Sequence, residues 1–99
     1  MAQNFAVMIY PPIGAANNVS YTGTSTSAQD TGASTIKIML SATTLCHIRF
    51  GDSGVGSAVA TDYPIQPNVD YVFDIGPGSR YFTVIRDATS GTLYWVKVA

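Results

Sequence analysis

From Thr35 onward, apolar side chains recur at every second position, a period that suits β-strand and little else. In Thr35–Leu40, Ile36, Ile38 and Leu40 share one side and Lys37 takes the other. In Leu45–Phe50, Cys46, Ile48 and Phe50 alternate with His47 and Arg49, which places the first three inward and the last two outward. Asp70–Ile75 repeats the pattern with Tyr71, Phe73 and Ile75 on one face. A period of two fills one face of a pleated strand, whereas a helical face needs a period near 3.6. Composition agrees. Glu is absent and Leu occurs only at positions 40, 45 and 93, so two strong helix formers are nearly missing, while Thr, Val, Tyr, Ser and Gly abound.

The stretches between these runs read as turns. Ser41–Thr44 suits a hairpin loop, and Gly51–Ser57 is a Gly/Ser loop. Tyr63-Pro-Ile-Gln-Pro67 is extended, its prolines marking an edge strand or a connection. Gly76-Pro77-Gly78-Ser79 fits a type II turn. Asp87–Gly91 fits a hairpin loop with Gly91 left-handed, which makes 81–98 a hairpin. Upstream, the apolar run Phe5–Ile9 stops at Tyr10-Pro11-Pro12 and is either a first strand or an arm that docks on a neighbour. Ile13–Asn18 reads as loop. Residues 19–31 are a disordered linker or a polar edge strand with Thr22, Thr24 and Thr26 in alternation. Seven or eight antiparallel strands at intervals of roughly ten residues predict an all-β sandwich or small barrel. The 99 residues make one domain, with 1–18 as an extended N-terminal arm.

Charge narrows the partners. The net charge is −1, and Lys37, Arg49, Arg80, Arg86 and Lys97 stand singly, so no basic patch offers itself to nucleic acid. Charged residues make up 11% of the chain, against ~25% in ordinary domains. A weakly charged surface bearing many aromatics invites protein–protein contact. Cys46 is the one cysteine, so no internal disulfide is expected. The first basic residue is Lys37 and no apolar run approaches the ~18 residues of a membrane span, which predicts synthesis in the cytoplasm and no membrane partner. Asn18-Val19-Ser20 matches a glycosylation sequon by chance on this reading.

Little in the sequence suggests catalysis. Gly51-Asp52-Ser53-Gly54 superficially matches a protease nucleophile segment, but the lone histidine, His47, sits on a strand facing outward, and the segment is better read as a turn. The Gly-rich stretch 51–57 lacks the Lys and Ser/Thr of a phosphate loop. One His and one Cys cannot build a zinc site, and no Asp pair has calcium-loop spacing; Asp70 and Asp74 share the outer parity of their strand. Cys46 and His47 point to opposite faces, the thiol as a buried hydrophobe and the imidazole at the surface. No catalytic, cofactor or metal-ligating residue is therefore expected. The aromatics are the surplus: Tyr81 and Phe82 are adjacent, as are Tyr94 and Trp95, so one ring of each pair must leave a one-sided core. That ring lies under a covered second face, in an oligomer or partner interface, or on a sugar-binding platform.

The order from Thr35 to the end resembles a known style. It runs through Leu45-Cys-His-Ile-Arg-Phe-Gly-Asp52, Tyr63-Pro-Ile-Gln-Pro67, Asp70-Tyr-Val-Phe-Asp-Ile-Gly-Pro-Gly78 and Val84-Ile-Arg-Asp-Ala-Thr-Ser-Gly-Thr-Leu-Tyr94. About two-thirds of the chain thus resembles the small accessory structural proteins of tailed bacteriophages, particularly capsid decoration (cement) proteins. The resemblance implies a β-sandwich, often of jelly-roll type, that attaches to the virion capsid surface as a homo-oligomer, a dimer or trimer, and bridges major capsid protein subunits. It carries over no catalytic residue. On this reading Phe5, Tyr10, Pro11 and Pro12 are arm contacts, and Trp95 with Tyr81 or Phe82 are interface anchors. A carbohydrate-binding or fibre-tip module and a tail or head–tail connector component are the rival readings.

Overall fold

A computed structural model describes residues 11–99. Phe5 and Tyr10, with the run Phe5–Ile9, lie outside the described residues. The eight strands are β1 (Pro12–Tyr21), β2 (Gln29–Asp30), β3 (Lys37–Ala42), β4 (Cys46–Gly51), β5 (Tyr63–Ile65), β6 (Tyr71–Asp74), β7 (Tyr81–Arg86) and β8 (Gly91–Val98). They form two antiparallel four-stranded sheets, a front sheet ordered β1-β8-β3-β6 and a back sheet ordered β2-β7-β4-β5.

The pairing is nested. β1 pairs with β8, β2 with β7, β3 with β6 and β4 with β5, while β3·β8 and β4·β7 complete the sheets. Of the strands that follow one another in sequence, only β4 and β5 lie side by side. The other connections cross from sheet to sheet. Two expected hairpins are corrected by this: Ser41–Thr44 carries the chain from β3 in front to β4 behind, and 87–90 carries it from β7 behind to β8 in front. Alternation along a strand fixes which side chains are buried, but a strand buries its apolar face equally well whether the next strand is its neighbour or lies ~10 Å away across the core.

The two inner faces meet around Ile38, Leu40, Cys46, Ile48, Ile65, Ile75, Phe82, Val84 and Leu93, with Phe50, Tyr71 and Phe73 packed against them. The expected inward sets of β3, β4 and β6 are thus found inside. Ile36 is the exception: it precedes the first paired residue of β3 and is 71% exposed. Aromatic rings run through the core in a chain, Trp95 to Phe82 at 5.7 Å, Phe82 to Phe50 at 5.8 Å, Phe50 to Phe73 at 5.2 Å, and Tyr71 stacked on Phe73 at 6.1 Å. One contact is perpendicular, two are tilted and one is stacked, and edge-to-face and offset arrangements at these distances suit the ring quadrupole.

The N-terminal third departs most from expectation. Ile13–Asn18 belongs to β1 and pairs along β8, with a bulge between Ile13 and Asn17. Gly14 supplies it with φ +81°, open to glycine at little cost. In place of a long polar edge strand, residues 22–28 form a strap on β7, where Arg86 N donates to Thr22 O at 3.0 Å and Val84 N to Thr26 Oγ1 at 3.1 Å. Pro64 lies in β5 at a sheet edge, where a missing N–H does no harm. Gly76–Ser79 closes as a 3-10 turn, not type II: Ser79 N donates to Gly76 O at 3.0 Å, and Gly78 is not at positive φ. Gly91 is not left-handed either, and its role is steric. Tyr21 Oη donates to Thr44 O at 2.7 Å and accepts from Thr44 N at 3.1 Å, and this hydroxyl with those of Thr43 and Thr44 crowds the space a side chain at 91 would fill.

Candidate interaction face

Strand register assigns the outer face of the front sheet. Directly paired residues share a face, so Met39 stands with Val72 on β6 and Val96 on β8, an apolar row across three strands. On one side of that row Asp74, Lys37, Val98 and Pro12 line up, and on the other Ser41, Tyr94 and Asn18. Tyr94 is 47% and Val72 39% exposed. A shallow cleft beside them is bordered by Ala16, Met39, Ser41, Asp70, Tyr94 and Val96. A ring, two aliphatic side chains and one carboxylate can grip an apolar partner, or stack on and hydrogen-bond a sugar.

In each adjacent-aromatic pair one ring points in and one out, and of the expected anchors Trp95, Tyr81 and Phe82 only Tyr81 is an outward member. Trp95 is 7% exposed and Phe82 fully buried, because Trp95 opposes Leu40 and Phe82 opposes Phe50 on the inner faces. Neither is a surface anchor. Trp95 Nε1 is buried without a hydrogen-bond partner, with the Phe82 ring perpendicular to the indole. The outward members are Tyr94 and the half-buried Tyr81, whose ring lies 5.3 Å below the Arg80 guanidinium. Pro11 and Pro12 are exposed at the start of β1. Sequence reasoning put Val72 on the outer parity of its strand with Asp70 and Asp74, and missed Tyr94, Met39 and Ile13 as surface residues. The parity of Leu93 on β8 was the available signal, since it puts residues 94 and 96 outside.

On the back sheet His47 faces outward, as its alternation requires, yet it is buried, not a surface residue. Two loops close over it. Nδ1 lies 3.0 Å from Asp62 O and Nε2 lies 2.8 Å from Asp87 Oδ1. The Asp62 carbonyl and the ionised Asp87 carboxylate both accept, so the site favours the doubly protonated ring. The Asp87 carboxylate raises its pKa above the ordinary histidine value, desolvation opposes this, and the Asp62 carbonyl adds to the rise. Asp62 also takes Arg49 Nε at 3.0 Å and Val59 N at 2.8 Å. The cluster pins loops, and neither imidazole nitrogen is left to serve a nucleophile. In Gly51–Gly54, Gly54 N donates to Asp52 Oδ1 at 2.9 Å, the turn expected there.

Elsewhere Arg80 grips Asp30 with two bonds, at 2.6 and 2.8 Å. With the Gly32 N–H, it holds the Asp30 carboxyl at a pKa of about 2. Burial pushes the Cys46 thiol up to about 11. Among the described residues no group of three or more His, Cys, Asp or Glu gathers in metal-binding geometry. No known protein family, characterised protein or solved structure matches the chain.

Proposed function

We propose that the protein is a non-enzymatic structural component of a tailed-phage virion that attaches to the capsid surface as a homo-oligomer and bridges major capsid protein subunits. The observation that carries this reading is the outer face of the front sheet, where the exposed Val72 and Tyr94 flank the half-buried Met39, with Val96 buried beneath them, on a sparsely charged domain. Apolar surface of this kind suits association. The strand orders β1-β8-β3-β6 and β2-β7-β4-β5, with their nested pairs, support a jelly roll, an architecture common among capsid domains. Fold alone does not assign function, so the sequence resemblance and the exposed strip carry the weight together. Each strip is small, and attachment gains strength from symmetric repetition.

Purified protein mixed with purified phage heads is expected to sediment with them. Val72→Asp, which sets a carboxylate in the strip without touching the core, is expected to abolish that binding. Heads that retain none of the wild-type protein refute the reading.

A second reading is favoured by one observation, the pairing of the Tyr94 ring with Asp70 in one cleft. A ring beside a carboxylate is the elementary sugar platform, and jelly rolls also serve as lectin domains. Binding on a glycan array that is lost in Tyr94→Ala selects this reading.

A further inference from the structure

The outer face of the back sheet is roofed by the chain itself. Arg49 pairs with Thr83 and His47 with Ile85, so these four side chains share that face. Residues 52–62, which join β4 to β5, fold back over it and leave Thr83 3% and His47 7% exposed. The loop is attached by side chains. Gly56 O accepts from Thr83 Oγ1 at 2.9 Å, and Ala58 N donates to Ser25 Oγ at 2.8 Å. The Asp62 carboxylate accepts from Arg49 Nε at 3.0 Å, and Asp62 O lies 3.0 Å from His47 Nδ1. Of these attachments only the last depends on a group that titrates near neutral pH.

The ring's other nitrogen, Nε2, meets Asp87 Oδ1 of loop 87–90 at 2.8 Å. The charged groups that face the ring are therefore Asp87, Asp62 and Arg49, the last engaged with Asp62. The flanking strands β5 and β7 set Pro64 and Ile85 opposite it, and neither titrates. Tyr63 and Arg86 pair with Ile48 and Cys46 and so take the opposite parity. Asp87 favours the charged ring and raises its pKa above the ordinary value. A neutral ring keeps one proton. A carboxylate holds a hydrogen bond more strongly than a carbonyl, so the proton stays on Nε2 and leaves from Nδ1. Nδ1 then turns a lone pair toward Asp62 O, acceptor against acceptor.

We propose that His47 is a proton-operated latch on loop 52–62: the doubly protonated ring clamps both loops to the back sheet, and loss of the Nδ1 proton releases loop 52–62 while loop 87–90 stays bound. Release uncovers Thr83 and the imidazole, so the back sheet presents a different outer face on either side of the titration. The latch lies on the sheet opposite the apolar strip and is independent of the function proposed above.

Imidazole nitrogen NMR and amide hydrogen exchange on the full-length protein test it, from about pH 5.5 upward. Exchange is expressed as protection relative to the unfolded chain at each pH, which removes the base catalysis of exchange itself. The nitrogen shifts are expected to show Nδ1 losing its proton and Nε2 keeping it. Protection of the Ala58 amide is expected to fall roughly tenfold across that titration, the equivalent of one charge-assisted hydrogen bond. The Asp87 amide, bonded to Leu45 O at 3.1 Å, is expected to keep its protection. His47→Gln, which does not titrate, is expected to abolish the pH dependence. A neutral ring protonated at Nδ1, unchanged protection at Ala58, or equal losses at Ala58 and Asp87 each overturn the latch. So does a fall that persists in His47→Gln, or a ring that keeps both protons until the chain unfolds.

Discussion

Gly91→Ala is the substitution whose cost the structure fixes best. A Cβ at that position would lie 2.5 Å from Thr44 Oγ1, 2.6 Å from Thr43 Oγ1 and 2.7 Å from Tyr21 Oη. All three oxygens are committed. Tyr21 Oη bridges the Thr44 backbone, Thr44 Oγ1 donates to Thr89 O at 2.8 Å, and Thr43 Oγ1 accepts from Thr92 N at 2.9 Å. They cannot all retreat while keeping these partners. Losing two or three such bonds costs about 1 kcal/mol each. Overpacking adds about 1–3 kcal/mol. Replacing glycine returns only ~0.4–1 kcal/mol through the unfolded chain. The net is a destabilisation of about 3 kcal/mol, a large part of the ~5–15 kcal/mol that holds a typical domain folded. For a domain of this size it lowers Tm by roughly 12–20 °C. Urea and thermal unfolding followed by circular dichroism measure it, and a double-mutant cycle locates the cause. Tyr21→Phe removes one of the three crowding oxygens, so Gly91→Ala is expected to cost about 1 kcal/mol less in that background. A Gly91→Ala chain within ~0.5 kcal/mol of wild type, or strict additivity with Tyr21→Phe, refutes the reasoning.

Three further outcomes follow from buried groups. The raised pKa of His47 means that its contribution to stability is complete below its unfolded value near ~6.5 and is lost as pH rises through the folded value. Urea midpoints are therefore expected to fall as pH rises above about 6.5. Asp87→Asn is expected to flatten that fall and to cost about 1–2 kcal/mol at the acid end, a charged hydrogen bond discounted for the half-exposed carboxylate. With its thiol at about 11 and inside the core, Cys46 is expected to resist a disulfide reagent at pH 8 until urea unfolds the chain. Trp95 fluorescence is expected to be shielded from acrylamide in the folded chain and to become quenchable in step with unfolding; native quenching as strong as in urea would contradict its place in the core.

The strands were legible because alternation is a local property. Ile38, Leu40, Cys46, Ile48, Tyr71, Phe73 and Ile75 all fall on the predicted inner faces. What joins the strands was not legible. The loops 41–44 and 87–90 carry residues that suit a tight hairpin, yet both span the two sheets, because partner choice depends on contacts far apart in sequence, such as Met39 with Val96 and Ile48 with Val84. Gly91 looked like a turn glycine and is a packing glycine, since the side chains that crowd it come from positions 21, 43 and 44. His47 was given the right side and the wrong burial. Alternation sets direction, but Asp62 and Asp87 arrive from separate loops to cover the ring.

The same limit governs the candidate site, and it changes how the protein must bind. Adjacency alone required one ring of Tyr94 and Trp95 to leave the core, and size does not say which. Register decides it: Trp95 lies opposite Leu40 and joins the internal chain of rings, while Tyr94 lies opposite Ser41 and faces out. The larger anchor is thus committed to holding the sheets together. What remains outside is a phenol, Val72 and a half-covered Met39. Interface energy concentrates in a few deeply buried aromatic or arginine anchors, and a shallow strip without an indole supplies little of it per copy. Tight attachment to a shell then has to come from several linked copies engaging at once, where effective concentration multiplies weak contacts. Attachment then depends on the number of linked copies, so the protein diluted until light scattering finds a monomer is expected to bind heads at least tenfold more weakly than the oligomer, a loss of about 1.4 kcal/mol or more. Head binding by that monomer at the oligomer's strength would show that single copies suffice.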